Sequence, residues 1–556
     1  MQMQTRTSTA SKVAVAAAVL FAAGGIAAAI VTMTTFRRPT LDIAVSSTPI
    51  STEIVKGTED VTFLELGVVA RNGSIEITDL AFTAYGDDDA NFRTVENDVS
   101  VQDHVMSCGL YQPDGTLIAG PEPIDGAGRL AFSMAWTPTS GRVAPAFVKC
   151  SFANVSPEND SPDIFGLALV SDTNVTAVDT RTSEPLPAIA VRVGGTSDPG
   201  VNANLRAQNV TLLDHGTLSA RLSSDSPEPG IVLAGSSNVL LGSWTFASTG
   251  EPFAIPRLMF TNTTSITPLY ELELKYEDAT GSTITLTEPA GDWVYFEGLT
   301  LEVDGTSSIE LYANAIRTAD DSVSGNRIGY ALDFDAPGFA AGGTISGVDA
   351  TDAGIGDDAI PSSEFVVYAT EPTMTLASGS PSGSSVPGNA ETFRFNVAAD
   401  SRADLTVGQI VFKIDTTDIS TTGWNDCGDG TSATFADADK WNLYDRNDLT
   451  APLDGTWTFL NASAGECSID ADPVAYAMFT LADPSVIRAG ETETLSLYVD
   501  STNASTVDDD SLRVSVSGTD ELSAAHISAL EWNDGYSDAD ETYVNALPVI
   551  GGTLTY

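Results

Sequence analysis

The sequence predicts an all-β chain: three tandem Ig-like β-sandwich modules after an N-terminal hydrophobic helix. Three observations predict it. Apolar residues alternate with polar ones at strand spacing, as in Ile75, Ile77, Leu80 and Phe82, and in Leu495, Leu497 and Val499. Turn residues recur about every 8–15 positions among abundant Thr, Val, Ser and Gly. One set of landmarks occurs three times.

The landmarks order the modules. The first copy reads Thr40-Leu41, Pro49, Gly57 and a run ending at Phe82; the second reads Thr217-Leu218, Pro227, Gly235 and Phe260. The third reads Thr373-Met374, Pro381, Gly388 and Phe412. Pro-to-Gly spacings are 8, 8 and 7, and Gly-to-Phe spacings are 25, 25 and 24, a regularity that chance does not supply. Each Pro and Gly is expected to mark the exit from a first strand and the turn into the next. A later landmark joins Leu311–Asn314 to Leu497–Asp500, with a weaker counterpart at Leu167–Asp172.

These spacings place module 1 at 39–198, module 2 at 212–370 and module 3 at 371–556. The Gly- and Asp-rich stretch 318–363 is expected as a long insertion in module 2, a loop or an edge extension. The end of the chain, Val549–Tyr556, reads as a strand. It is either the last strand of its own sandwich or free to add to a neighbour's edge.

Residues 1–38 form a separate segment. Val13–Met33 carry no charge, with Arg6 and Lys12 before them and Arg37 and Arg38 after. Two readings stand: a secretory signal cut after Ala29, or a retained membrane anchor. Both carry the rest of the chain across a membrane, so an extracellular or cell-surface location is expected.

Charge narrows the function. The 556 residues hold 76 acidic and 25 basic side chains, a formal charge of −51. Such a surface repels nucleic acid and suits salty surroundings. Its carboxylates also suit hard cations, so calcium is the cofactor to consider. Asp87, Asp88 and Asp89 follow a strand end, and Asp426, Asp429, Asp437 and Asp439 flank a cysteine. Each group is read either as a solvated loop or as calcium ligands.

The cysteines fall into two local pairs, Cys108 with Cys150 and Cys427 with Cys467, and no CxxC occurs. In an exported chain two disulfides within modules are the simplest reading. The three histidines, His104, His215 and His526, fall in different modules. No nucleotide-binding or zinc-protease motif occurs, nor the GxSxG nucleophile elbow. Catalysis is therefore not expected.

The run from Gly388 to Ile414 and the ending from Leu530 to Tyr556, with Trp532, Asn533, Gly535, Tyr536, Leu547 and Pro548, resemble repeats and endings of large secreted surface proteins of candidate-phyla-radiation bacteria. The acidity and scarcity of lysine depart from that family and resemble proteins of saline habitats. The resemblance implies a surface-layer-like or filament-like role, with copies of the chain itself and the cell envelope as partners. Divergent copies of one scaffold are also what a structural array uses. An adhesin stalk is the alternative, and a secreted hydrolase comes third.

Overall fold

The computed structural model describes residues 38–45, 52–87, 99–157, 162–170, 172–193, 205–206, 210–265, 267–335, 337–350, 355, 359–417, 438–464, 474–502, 504, 506, 510–518, 521–522 and 527–556. The expected hydrophobic helix, Val13–Met33, lies outside them. Nearly all of the regular structure is strand, with short helical turns such as Val101–His104. Among the described residues no helix is long and apolar enough to cross a membrane.

The chain divides into two compact units. The first runs to Thr217 and takes in Thr249–Pro252 and Gly343–Val348; the second holds Leu218–Ser248, Phe253–Gly342 and Asp349–Tyr556. The first unit contains one large apolar core, built from residues such as Leu41, Phe82, Phe165 and Leu212. The second contains two, around Trp244 and Phe260 and around Phe412 and Trp441. Alternation is what fills these cores. In Trp293–Val303 the side chains of Val294, Phe296, Leu299, Leu301 and Val303 point inward, and the residues between them face solvent.

All three sandwiches follow one strand plan. Each opens with a first strand (Thr40–Val45, Thr217–Leu222, Pro372–Leu376) and a short second one (Thr52–Val55, Gly230–Leu233, Gly383–Ser384). A long third strand follows (Val61–Arg71, Val239–Thr249, Asn389–Ala399), then a long fourth (Ile75–Asp87, Phe253–Asn262, Leu405–Thr417). The third lies between the first strand and the eighth (Ala144–Phe152, Thr306–Ile316, Thr492–Asp500). The fourth pairs with the seventh (Arg129–Trp136, Trp293–Val303, Tyr476–Ile487) in the opposing sheet. Phe82, Phe260 and Phe412 all sit in the fourth strand, and all are 0% exposed.

The second strand carries a long-range contact. In each sandwich it pairs in parallel with the last strand: Val210–Leu213, Phe365–Tyr368 or Val549–Thr555. Gly57 (φ +81°) and Gly235 (φ +76°) follow the second strand in left-handed turns, a conformation that glycine adopts without steric cost.

This closure moves a boundary. The break expected between residues 198 and 212 falls later, because Val210–Leu213 completes the first sandwich by pairing with Asp163–Phe165 and Thr52–Val55. Only Asp214–Gly216 remain before the next strand begins at Thr217. The later landmark also needs correcting in the first module. Leu167–Leu169 belong to a strand paired with the fourth strand, whereas the true equivalent of Leu311–Asn314 is in Ala144–Phe152 beside the third.

Within 318–363, described segments add strands to a sheet of the second sandwich. Tyr330–Asp333 pair with Met259–Asn262, and Tyr330, Leu332, Phe334 and Phe339 are buried. The terminal strand Val549–Thr555 lies inside its own sheet, between Gly383–Ser384 and Ser511–Val516, and Tyr556 is buried behind it.

Candidate functional site

Cys108 and Cys150 form a disulfide. They are direct partners across the adjacent strands Val105–Tyr111 and Ala144–Phe152, and both are buried. Cys427 and Cys467 lie outside the described residues.

The acidic candidates separate. Asp87 is not a loop residue: it ends the fourth strand and is buried, because its ladder partner Ile164 holds the strand to its last residue. Asp439 sits exposed in the turn Ala438–Lys440. Asp88, Asp89, Asp426, Asp429 and Asp437 lie outside the described residues. Among the described residues, no three His, Cys, Asp or Glu side chains converge as metal ligands.

Among the described residues His104 and His215 sit in different surroundings, and His526 lies outside them. His104 is buried against Phe165, with Nε2 3.7 Å from an Asp163 carboxylate oxygen. His215 is exposed in the short connection after the first sandwich, its Nδ1 3.0 Å from Asp214. Lys56 donates to Asp214 at 2.7 Å, and this bond, with those from Ser156 and His215, holds the Asp214 carboxyl far below its usual range.

Glu251 organises the other polar centre of the first unit. Its carboxylate accepts N–H bonds from Gly216 (2.9 Å), Ile345 (2.9 Å) and Ser346 (2.8 Å), and the Ser346 hydroxyl at 2.6 Å. Burial pushes this carboxyl upward, but the Ser346 hydroxyl and the three N–H donors outweigh it and leave it below its ordinary value of 4.5.

A cleft of the second unit lies at the junction of its two sandwiches. Its volume is about 610 Å³, and Arg327, Tyr368, Trp532, Asp538, Asp540 and Tyr543 line it. Two clamps bracket the connection Ala369–Glu371. In one, Asp534 accepts the N–H of Ala369 at 2.6 Å and the hydroxyl of Ser324 through one oxygen. Its other oxygen accepts the N–H groups of Tyr536 (3.0 Å) and Ser537 (2.9 Å), closing the turn that Gly535 permits at φ +93°. In the other, Arg402 donates to the carbonyls of Leu233 (3.2 Å) and Ala234 (2.9 Å) and to the Ser236 hydroxyl (2.7 Å).

Between the clamps Tyr368 packs on Trp532 with ring centroids 4.8 Å apart. Burial, with the nearby charges of Asp540 and Asp534, pushes the Tyr368 phenol up to about 12. Arg327 is paired with Glu364 at 3.1 Å. The arrangement is mechanical in character: the hydrogen bonds of Asp534 and Arg402 and the tilted contact of Tyr368 with Trp532 fix one sandwich on the next. Sequence reasoning singled out Trp532, Asn533, Gly535 and Tyr536 but missed Asp534 and Arg402. The Asn-Asp-Gly turn was the available signal for Asp534; Arg402 had none.

No family model matches the chain, and no curated protein matches it. Among solved structures it is similar to a membrane-anchored protein from Corynebacterium diphtheriae, at 9% identity over 93% of this chain and 95% of that one, with a TM-score of 0.15. It is also similar to BcpA, the major pilin subunit of Bacillus cereus, at 10% identity over 82% and 96%, TM-score 0.17. A third is a tetra-tandem repeat from the extending region of a large adhesion protein, at 9% identity over 93% and 98%, TM-score 0.12. At these TM-scores the likenesses carry no argument about function.

Proposed function

We propose that this chain is an exported, non-catalytic structural protein of the cell surface whose copies assemble into a surface layer or an extracellular filament. The observation that carries the reading is the repetition of one strand plan in three sandwiches, each with its own core. Tandem modules of that kind supply length and contact surface. The buried disulfide supports maturation in an oxidising compartment. A charge of −51 keeps single copies soluble and favours assembly when cations neutralise the facing carboxylates. Calcium is the cation proposed for that role, and the cell envelope is the proposed attachment.

The test is imaging and sedimentation of the purified full chain with millimolar calcium or with chelator, at matched ionic strength. Sheets or fibres in calcium that dissolve in chelator are the expected result. A chain that stays monomeric at every calcium and salt concentration would overturn the assembly reading and leave a monomeric stalk.

A further inference from the structure

Four aromatic side chains stand among the exposed large hydrophobics of the described residues: Tyr270, Trp293, Tyr295 and Tyr536. The first three belong to the second sandwich, Trp293 and Tyr295 on one of its sheets and Tyr270 on the other. Trp293 (62% exposed) and Tyr295 (44% exposed) are two apart on the strand Trp293–Val303. Their side chains therefore leave the same face about 7 Å apart. Val294 and Phe296, buried on the opposite face, hold that orientation. Among the described residues the strand is the edge of its sheet, paired with Phe253–Asn262 alone. Tyr270 (58% exposed) is on a strand of the opposing sheet, its carbonyl accepting the N–H of Ala290 at 3.0 Å, with the Arg317 guanidinium 4.7 Å from its ring centre, and it takes no part in the patch.

A groove of about 410 Å³ runs past the two aromatics, lined by Glu288, Pro289, Trp293, Val294, Tyr295 and Glu297. Its polar side chains are the carboxylates of Glu288 and Glu297. The Arg257 guanidinium is paired with Glu297 at 3.4 Å. The surface therefore offers ring faces and hydrogen-bond acceptors. It asks for a ligand that brings apolar faces, several donors and no negative charge.

We infer that Trp293 and Tyr295 form a platform for a neutral polysaccharide. The C–H faces of its sugar rings stack on the indole and phenol, and its hydroxyls donate to Glu288 and Glu297. A rigid strand presents both rings with little conformational entropy to lose on binding. Charge decides against acidic occupants. An acidic glycan or a nucleic acid meets two carboxylates and a chain of charge −51; a second copy of the chain is the occupant that the self-association arm of the test separates. The inference shares with the proposed function only a location where polysaccharide is met, and it does not depend on assembly.

The test uses the purified full chain. Retention is measured on insoluble cellulose, chitin and β-1,3-glucan, with pectate as the acidic probe and spermine as the cationic one. Retention on at least one neutral polysaccharide, insensitive to salt, is expected. Trp293→Ala and Tyr295→Ala should each weaken it by roughly tenfold or more, whereas Tyr536→Ala should leave it unchanged. Circular dichroism reports that the variants are folded, which exposed side chains allow. Three results would overturn the platform: no retention on any neutral polysaccharide, retention that survives Trp293→Ala and Tyr295→Ala combined, or preferential, salt-sensitive binding of spermine. Loss of self-association in Trp293→Ala without loss of glycan retention would reassign the patch to contact between copies. Glycan binding by a chain that never assembles would remove the assembly reading and keep this one.

Discussion

Asp534 holds the backbone N–H of Ala369 at 2.6 Å across 165 positions of sequence. The bond joins the turn after Leu530–Asn533, in the third sandwich, to the connection that leaves the second. One buried carboxylate thus satisfies four donors from two sandwiches.

Replacing Asp534 with Ala strands those donors. The expected cost is about 3 kcal/mol, the size typical of losing hydrogen bonds to a buried charged group. Calorimetry should show a lower melting temperature for the second unit, and limited proteolysis should cut the full-length variant near 369–371 faster than the parent.

Glu251→Gln tests the carboxylate of the first unit and its pH dependence. The folded-state carboxyl lies below its ordinary 4.5, so its contribution is fully present above that value and is lost as pH falls through the lower folded value. The variant should be about 2 kcal/mol less stable at neutral pH. The deficit should shrink in denaturant titrations as pH drops below about 4.5. A deficit that stays constant down to strong acid would mean that the charge is not what matters.

Removing the disulfide with Cys108→Ala and Cys150→Ala frees a loop spanning 42 positions. In the chain-entropy model this costs about 4 kcal/mol. Differential scanning calorimetry should place the whole loss in the first sandwich's transition.

Gly235→Ala should destabilise the second sandwich by about 1 kcal/mol, because its φ of +76° is unfavourable for a residue with a Cβ even though nothing crowds the site. Gly230→Ala, equally uncrowded but without a positive φ, is the control and should be close to neutral in urea unfolding.

Deleting Val549–Tyr556 removes an interior strand with buried Val549, Leu554 and Tyr556. About 6 kcal/mol of burial goes with these side chains, enough to unfold the third sandwich. Near-UV circular dichroism should lose the signal of its buried Trp441 and Trp532.

The long strands were legible because each carries enough alternating residues to show its period. The run ending at Phe82 and its two counterparts are the clearest cases. The short strands were not. Val210–Leu213 is four residues long and pairs with Thr52–Val55 far upstream. No local pattern records such a partner, so the first boundary was drawn before it. Tyr330–Asp333 was hidden the same way, inside a Gly- and Asp-rich stretch. Leu167–Asp172 were read as the weaker counterpart of Leu311–Asn314 because apolar alternation does not say which sheet a strand joins. At the junction Trp532 was visible as a cluster residue, but Arg402 binds backbone carbonyls, which leave no trace in side-chain identity.

The parallel pairing of second and last strands has a consequence under load. Tension applied to the chain on either side of a sandwich draws these two strands along each other lengthwise, so their cross-strand hydrogen bonds are strained in shear together and not opened one after another. Yield under force is then governed by an unfolding rate, not by equilibrium stability. The first two sandwiches close with four paired positions each and the third with two, Gly383↔Leu554 and Ser384↔Thr555. By that count the third sandwich slips first. When the first finally opens, the Cys108–Cys150 crosslink keeps the segment between those residues from paying out. A chain drawn taut at a surface would therefore lengthen in ordered steps, with its weakest fastener at the C-terminal end.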